Sequence, residues 1–286
     1  MSQLEAPCVT CGRVYEGRFC PACGEKRLEP EDLSWRHFWS HTFEAFFHAD
    51  GRVLRSVKTL ILAPGLLTAD YLRGKRKPYL APLSLFLVIN LVYFLVQPLS
   101  HWDTLVTPLR SHLSGQLYSS WIQPRVTARL ERNHESLESY AERFDHHVTL
   151  EAHALTIALV PLFFVPAAIV LYWRQRRLLD HLVFSLHFCG FLLIWLFAAQ
   201  IGFNLVVGAL VKWGHVVFTS ATLDALISIL TLLGCALYLA KCIHRLFGGR
   251  RGAIFFQATF LAISLVPVFH AYRLILFFVA YARTSG

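Results

Sequence analysis

Four cysteines lie within sixteen residues near the N-terminus and carry the clearest chemistry in the chain. They form two Cys-x-x-Cys-Gly turns, at residues 8–12 and 20–24. Each turn brings two thiolates to one metal ion, and the glycine relieves the tight backbone that follows. Two such turns supply a closed tetrahedral set, which is the arrangement of structural zinc rather than of a catalytic site. The spacing therefore predicts a structural Zn²⁺ site at Cys8, Cys11, Cys20 and Cys23.

Two other chemistries use the same residues. Iron in a rubredoxin-like site takes the same four thiolates, and thiol redox chemistry needs one Cys-x-x-Cys pair. No apolar run precedes the cysteines, so we expect no signal peptide and place them in the reducing cytosol, where metal binding is favoured over disulfides. Metal would then supply most of the folding free energy of residues 1–30. We expect no nucleic-acid binding, because Glu16 and Glu25 stand among the bases of this segment and no basic aromatic patch is present.

The rest of the chain is dominated by apolar runs. Of 286 residues 55% are apolar and 16% are charged, against roughly 25% charged in ordinary soluble domains. Five runs approach the length of a membrane span, near residues 81–97, 154–173, 182–208, 215–240 and 253–281. The predicted fold is an all-α membrane protein of about five transmembrane helices. It is preceded by a small four-cysteine zinc ribbon (residues 1–30) and an amphipathic juxtamembrane helix.

The domains follow from this map. Residues 31–79 are predicted to form amphipathic and basic juxtamembrane helices, and residues 80–281 a helical membrane domain with a polar outer loop at 99–152. An aromatic face begins after Ser34, and its helix either lies in the membrane interface or packs on the spans. A second helix is predicted from Arg52 to Leu62, ending at Ala63-Pro64-Gly65.

Basic residues cluster beside alternate spans, which predicts the orientation. One cluster precedes the first span, one lies between the second and third, and one between the fourth and fifth. Positive residues favour the cytosolic side, so we expect the N-terminus in the cytosol and the C-terminus on the far side. The first cluster is also predicted to contact anionic lipid; it comprises Arg73, Lys75, Arg76 and Lys77.

Polar residues inside the apolar runs suggest a second site. They are Asn90, His187, Gln200, Asn204, His270 and Arg273. Ionisable groups in lipid are costly, so we hypothesise a polar intramembrane site in which Arg273 binds an anionic headgroup or substrate. The alternative is interhelical hydrogen bonding for the amides and an interface position for Arg273. Asp224 is a further polar residue in the fourth run, and Pro267 is predicted to kink the fifth.

An ordered series of motifs resembles a known family. The series begins with the two Cys-x-x-Cys-Gly knuckles, and the second knuckle reads Gly17-x-Phe19-Cys20-x-x-Cys23-Gly24-Glu25-Lys26. An aromatic helix, Asp50-Gly51 and Ala63-Pro64-Gly65 follow in that order. The series ends with Tyr71-Leu72-x-Gly74-Lys75-Arg76-Lys77-x-Tyr79-x-x-Pro82. Over about residues 8–90 this series resembles a bacterial family of zinc-ribbon membrane proteins known only as a domain of unknown function (the 3667-type family). The segment Asp180–Phe188 is also similar to a stretch of those proteins. The resemblance implies this architecture in a bacterial inner membrane and assigns no catalytic residue.

Three function classes follow. The leading hypothesis is a non-enzymatic docking or scaffold module that handles lipid or a small hydrophobic ligand, with a protein partner bound through the ribbon. The second is a subunit of a lipid or small-molecule transport system, favoured by the architectural likeness to paraquat-inducible lipid-transport proteins. The third is a membrane enzyme using intramembrane His and Arg, although the sequence has no hydrolytic or phosphate-binding motif. Membrane lipid is the expected partner in each case, and the oligomeric state stays open.

Overall fold

The computed structural model describes residues 6–28, 51–97, 105–173, 177–214 and 219–284. The amphipathic helix predicted after Ser34 lies outside these residues. A two-stranded antiparallel hairpin, β1 (Ala6–Pro7) and β2 (Val14–Tyr15), belongs to the ribbon. The helices are α1 (Arg52–Leu62), α2 (Leu66–Leu72), α3 (Pro82–Val96), α4 (Leu109–Ser114), α5 (Ser119–Asn133), α6 (Leu137–Leu155), α7 (Leu159–Leu171), α8 (Leu178–Gly214), α9 (Ser220–Phe247), α10 (Arg251–Ile263) and α11 (Leu265–Arg283).

Four segments of the described chain are long and apolar enough to cross a membrane. They are Leu137–Leu171, Leu178–Trp213, Thr222–Phe247 and Arg251–Arg283. The shortest has 26 residues, which at about 1.5 Å per residue exceeds the roughly 30 Å of a hydrocarbon core. Length and composition thus indicate an all-α, multi-pass membrane protein. Helix α3 coincides with the first predicted span but is about 22 Å long, so the predicted count of about five is approximate.

The predicted outer loop at 99–152 is largely helical in the described residues. It contains α4, α5 and most of α6, and α6 runs through one 3₁₀ turn (Thr156–Ala158) into α7. The second predicted span is therefore the C-terminal half of a 35-residue segment. The buried residues of α6 recur every four positions, at Tyr140, Phe144, Val148 and Ala152. Such a stripe packs well on a neighbouring helix although the mean hydropathy of the segment is low.

The fifth predicted span is two helices, α10 and α11, that meet at Ser264. Pro267 has no backbone N–H, and its ring is incompatible with a regular helical position for the carbonyl four residues earlier. That carbonyl belongs to Ile263, the last residue of α10. The break predicted from Pro267 is thus found one turn before it.

Helix α8 is the centre of the bundle and packs against α3, α7 and α9. Aromatic rings fill these interfaces: Phe188 stacks on Phe163 at 4.4 Å between centroids, and Phe191 stacks on Tyr238 at 3.5 Å. The later part of α8 and the first half of α9 expose apolar side chains, among them Leu205, Val206, Ile229 and Leu233. These faces are suited to lipid.

Helices α1 and α2 form a layer against one end of the bundle. The Tyr238 hydroxyl donates to the Leu60 carbonyl at 3.0 Å, and Arg245 donates to the Pro64 carbonyl at 3.0 Å. Gly65 has φ +78°, and a Cβ there would lie 2.9 Å from the Cα of Cys242. Only glycine allows this turn to lie so close to α9. Because α9 ends here, its basic C-terminal residues and the basic residues after α2 lie at the same end.

Candidate metal centre and intramembrane cavity

The four ribbon cysteines converge. Their sulfur atoms all lie within 4.8 Å of one another, and in the described part of the chain they are the one group of three or more His, Cys, Asp or Glu placed to hold a metal ion. The Sγ atoms of Cys8 and Cys23 are 3.5 Å apart, and those of Cys11 and Cys20 are 3.6 Å apart. Tetrahedral zinc with Zn–S bonds of about 2.3 Å would set sulfurs about 3.8 Å apart. A disulfide needs about 2.05 Å. The separations fit a four-thiolate metal site.

The two knuckles repeat one backbone turn. The Gly12 amide donates to the Cys8 carbonyl at 2.9 Å, and the Gly24 amide donates to the Cys20 carbonyl at 2.7 Å. The two glycines have φ of +76° and +67°, a conformation that favours glycine. The amides of Cys8 and Cys20 each pair with the carbonyl five residues later, at 2.9 Å. Each knuckle is thus fixed by its own local sequence.

The thiols of the second knuckle differ in acidity. Burial opposes a thiolate at Cys20, but the amides of Cys23 and Ala22 and the Cys11 thiol outweigh it and lower its pKa to about 6. At Cys23 the Glu25 amide favours the thiolate, yet burial and the three neighbouring thiols raise its pKa to about 12. The cluster therefore accepts one negative charge easily and resists the next. A bound cation would offset this repulsion, which fits a metal site.

The ribbon is fastened to the helical domain through Glu25, whose side chain is 4% exposed. Its carboxylate accepts a hydrogen bond from the Thr10 hydroxyl at 2.6 Å. It also accepts from the Lys77 backbone amide, at 3.1 and 3.3 Å to its two oxygens. Thr10 lies in the first knuckle, and Lys77 in the segment 73–79, which we call the basic turn. Glu25 therefore joins both knuckles to the basic turn.

Two glycines make this contact close. A Cβ at Gly24 would collide with the Lys77 side chain, and a Cβ at Gly74 would lie 3.0 Å from the Cβ of Leu28. Gly24 and Gly74 both have positive φ. We call the set of Thr10, Glu25, Gly24, Gly74 and Lys77 the ribbon seat. The ribbon seat was not predicted from the sequence, because its two halves are about fifty residues apart and nothing in either half identifies the other.

Two of the four basic residues in the basic turn have side-chain partners among the described residues. Lys75 forms an ion pair with Asp70 at 3.2 Å, and the Tyr79 hydroxyl donates to the same carboxylate at 3.1 Å. The Arg76 guanidinium lies over the Tyr71 ring, 4.4 Å from its centroid. Arg73 and Lys77 are exposed. The predicted lipid contact of the four basic residues stays a prediction, and Arg73 and Lys77 are the two most accessible to a headgroup.

The six polar residues predicted to share an intramembrane site are dispersed. The Asn90 amide donates to the His153 carbonyl at 3.3 Å, between α3 and α6. His187 pairs through Nδ1 with the Thr68 hydroxyl at 2.9 Å, near the α1–α2 layer. The Gln200 amide donates to Asn204 at 3.1 Å along α8. Asn90 and His187 thus link helices, and for the Asn90 amide this is the role that the alternative hypothesis gave.

Three of the six line one cavity of about 480 Å³ between α8, α9 and α11. They are Gln200, His270 and Arg273, and α9 adds Asp224. The remaining lining is Leu196, Ile227, Ser228, Thr231, Leu232, Leu265, Val266 and Phe269. Asp224 was noted in the sequence as a polar residue of the fourth run, but its membership in this site needed the packing of α9 on α8.

The cavity presents charged and polar groups in an apolar setting. Arg273 donates to the Gln116 side chain at 3.4 Å, and its buried Nε has no partner among the residues that the structure describes. His270 must donate through Nδ1 to the Val266 carbonyl at 2.8 Å, since a carbonyl only accepts. A neutral ring then leaves Nε2 as an acceptor. The site can bind an anion at Arg273 and a donor at His270.

Comparison with known proteins gives one match. No curated protein and no solved structure matches the chain. Residues 50–94, which hold α1, α2, the basic turn and most of α3, match the family model described as "Protein of unknown function (DUF3667)". The resemblance to that family of unknown function is confirmed over this segment, which is about one sixth of the chain.

Proposed function

We propose that this protein is a docking module of the bacterial inner membrane: a zinc-loaded cytosolic ribbon binds a protein partner, and the helical bundle handles lipid or a small hydrophobic ligand. The ribbon seat carries the proposal. A ribbon on a loose tether presents no fixed surface, whereas this one is held on the bundle by a buried carboxylate, Glu25. The basic groups gathered at the same end support a cytosolic position for the seat and the N-terminus, and a far-side C-terminus.

The ribbon has apolar surface to offer a partner. Its own buried cluster is small and consists of Cys8, Tyr15 and Cys20 with Cys23 packed against it. Val14 and Phe19 stay 56% and 58% exposed among the described residues. Apolar and aromatic side chains on a rigid support are the usual anchors of protein interfaces. Zinc is proposed over iron because a closed four-thiolate site in a reducing compartment is the structural-zinc arrangement.

The experiment compares full-length variants purified in mild detergent under reducing conditions. Phe19→Ser is expected to keep the metal and lose the co-purifying partner, since it changes an exposed anchor and no ligand. Cys20→Ser is expected to lose both. Leu117→Ser, at an exposed apolar residue outside the ribbon, serves as the matched control and should retain both. A partner retained by Cys20→Ser would refute metal-dependent docking.

A transport-system subunit is the second candidate, and the cavity at Arg273 favours it. Transport would require the cavity to bind its cargo and the ribbon or another surface to bind a transport partner. For a membrane enzyme, the structure brings Asp224 and His270 to one cavity, but no hydrogen bond joins them among the described residues. An acid–base pair is therefore not assembled, and the cavity is better suited to binding.

A further inference from the structure

The cavity holds a cation with little local compensation. A guanidinium has five N–H donors, and Arg273 uses one of them on the neutral Gln116 amide. Within the described residues no carboxylate lies within 4.0 Å of it. Charged groups among membrane-spanning helices are costly and mark binding sites when they lack a partner. Arg273 is therefore prepared for an anionic group that the described residues do not provide.

Two titratable side chains near Arg273 outside the cavity, His112 and Tyr118, are both uncharged at physiological pH. His112, which is buried in α4, has its pKa lowered to about 4 by burial and then by the Arg273 charge. It is therefore neutral at physiological pH and supplies no negative charge to Arg273. The Tyr118 hydroxyl, paired with His112 at 2.9 Å, is likewise neutral because burial raises its pKa to about 12.

A carboxylate lines the same cavity without neutralising the arginine. Asp224 is exposed, and its side chain forms no hydrogen bond or ion pair with the described residues. Opposite charges that line one cavity without touching are complementary to a ligand that has both charges. The exposed apolar faces of α8 and α9 continue away from the cavity, at Leu205 and Ile229 among others. A ligand that joins a doubly charged head to acyl chains fits both features.

We propose that this cavity binds the headgroup of a zwitterionic glycerophospholipid with a primary ammonium, its phosphate on Arg273 and its ammonium at Asp224. This inference rests on the proposed lipid-handling function and names its ligand. A guanidinium forms charge-assisted hydrogen bonds with phosphate oxygens, and His270 Nε2 accepts from the ammonium. The volume of about 480 Å³ lies in the usual range of ligand sites.

The test measures lipid binding by the full chain in detergent micelles, by native mass spectrometry. The probes are phosphatidylethanolamine, phosphatidylglycerol and, as a soluble anion, inorganic phosphate. The variants are Arg273→Gln and Asp224→Asn. Arg110→Gln is the matched control, since Arg110 is exposed and pairs with Glu138 on the surface outside the cavity. Elution volume and metal per chain verify that each variant is folded.

We expect the wild type to prefer phosphatidylethanolamine. Arg273→Gln should weaken the binding of both lipids by about tenfold or more, because it removes charge-assisted hydrogen bonds to the phosphate. Asp224→Asn should lower the preference for phosphatidylethanolamine by about tenfold and spare phosphatidylglycerol. The control should match the wild type, and inorganic phosphate should not compete.

Three results would overturn the proposal. Equal lipid retention by the wild type and Arg273→Gln would remove the phosphate contact, and an unchanged preference in Asp224→Asn would remove the ammonium contact. Competition by inorganic phosphate would indicate a site for a free anion. Asp224 is exposed, so its variant decides the question even if Arg273→Gln does not fold. None of these results bears on metal-dependent docking by the ribbon, which is measured separately.

Discussion

Replacing Glu25 with alanine tests whether the ribbon is held by its seat. The Lys77 amide has Glu25 as its acceptor, at 3.1 and 3.3 Å to the two carboxylate oxygens. Hydrogen bonds to charged groups contribute about 1.5–3 kcal/mol, and Glu25 is sufficiently buried to avoid most solvent screening. Because about 1.4 kcal/mol is a factor of ten, exchange of the Lys77 amide should accelerate roughly 10–100-fold.

The assay is hydrogen exchange followed by mass spectrometry on the full chain, read from a peptide that covers the basic turn. Glu16→Ala is the matched control, because it makes the same chemical change at an exposed ribbon residue. Both variants should retain their metal, since neither residue is a ligand. Exchange in Glu25→Ala that equals exchange in the wild type would show that the seat does not hold the ribbon, and the docking proposal would lose its basis.

Three further changes probe the helical domain, each through thermal unfolding in detergent. Gly65→Ala should lower the free energy of unfolding by at least about 2 kcal/mol, because alanine disfavours the left-handed backbone and its Cβ would lie 2.9 Å from the α9 backbone. Gly202→Ala is the control: a Cβ there meets nothing within 4 Å, so this change should be neutral or slightly stabilising. Thr68→Val should cost about 1–3 kcal/mol, because it leaves His187 Nδ1 buried without its partner. The folded protein holds the pKa of His112 at about 4, below the 6.5 of the unfolded chain. Because the unfolded state therefore binds a proton first as the pH falls from 6.5 toward 4, the free energy of unfolding should drop over that range by up to about 3 kcal/mol. The wild type should therefore lose stability over that range more steeply than His112→Gln; parallel curves would contradict the assignment.

The features predicted from the sequence are those that local residues determine. The cysteine spacing and two glycines set the geometry of both knuckles, so the convergence of four sulfurs could be expected without any tertiary information. Helix α1 begins and ends where the sequence indicated, at Arg52 and Leu62, because Gly51 and the Ala63-Pro64-Gly65 turn flank it. Hydropathy likewise located the long apolar segments.

The features that were missed depend on which surfaces meet. A polar residue in an apolar run can be identified from the sequence, but its neighbours depend on the rotation and packing of several helices. Gln200, His270 and Arg273 therefore share a cavity with Asp224, while His187 meets Thr68 on a different layer. The ribbon seat is the clearest case, since the pairing of Glu25 with a backbone amide has no side-chain signature at Lys77.

Metal content per chain is the most direct test of the central claim. The full protein is purified under reducing conditions, without added metal, and analysed for zinc and iron together with Cys20→Ser. We predict one zinc per wild-type chain and none in the variant, because loss of one thiolate opens a site that needs all four. Metal-free wild-type protein, stoichiometric iron in place of zinc, or equal zinc in both proteins would contradict the account.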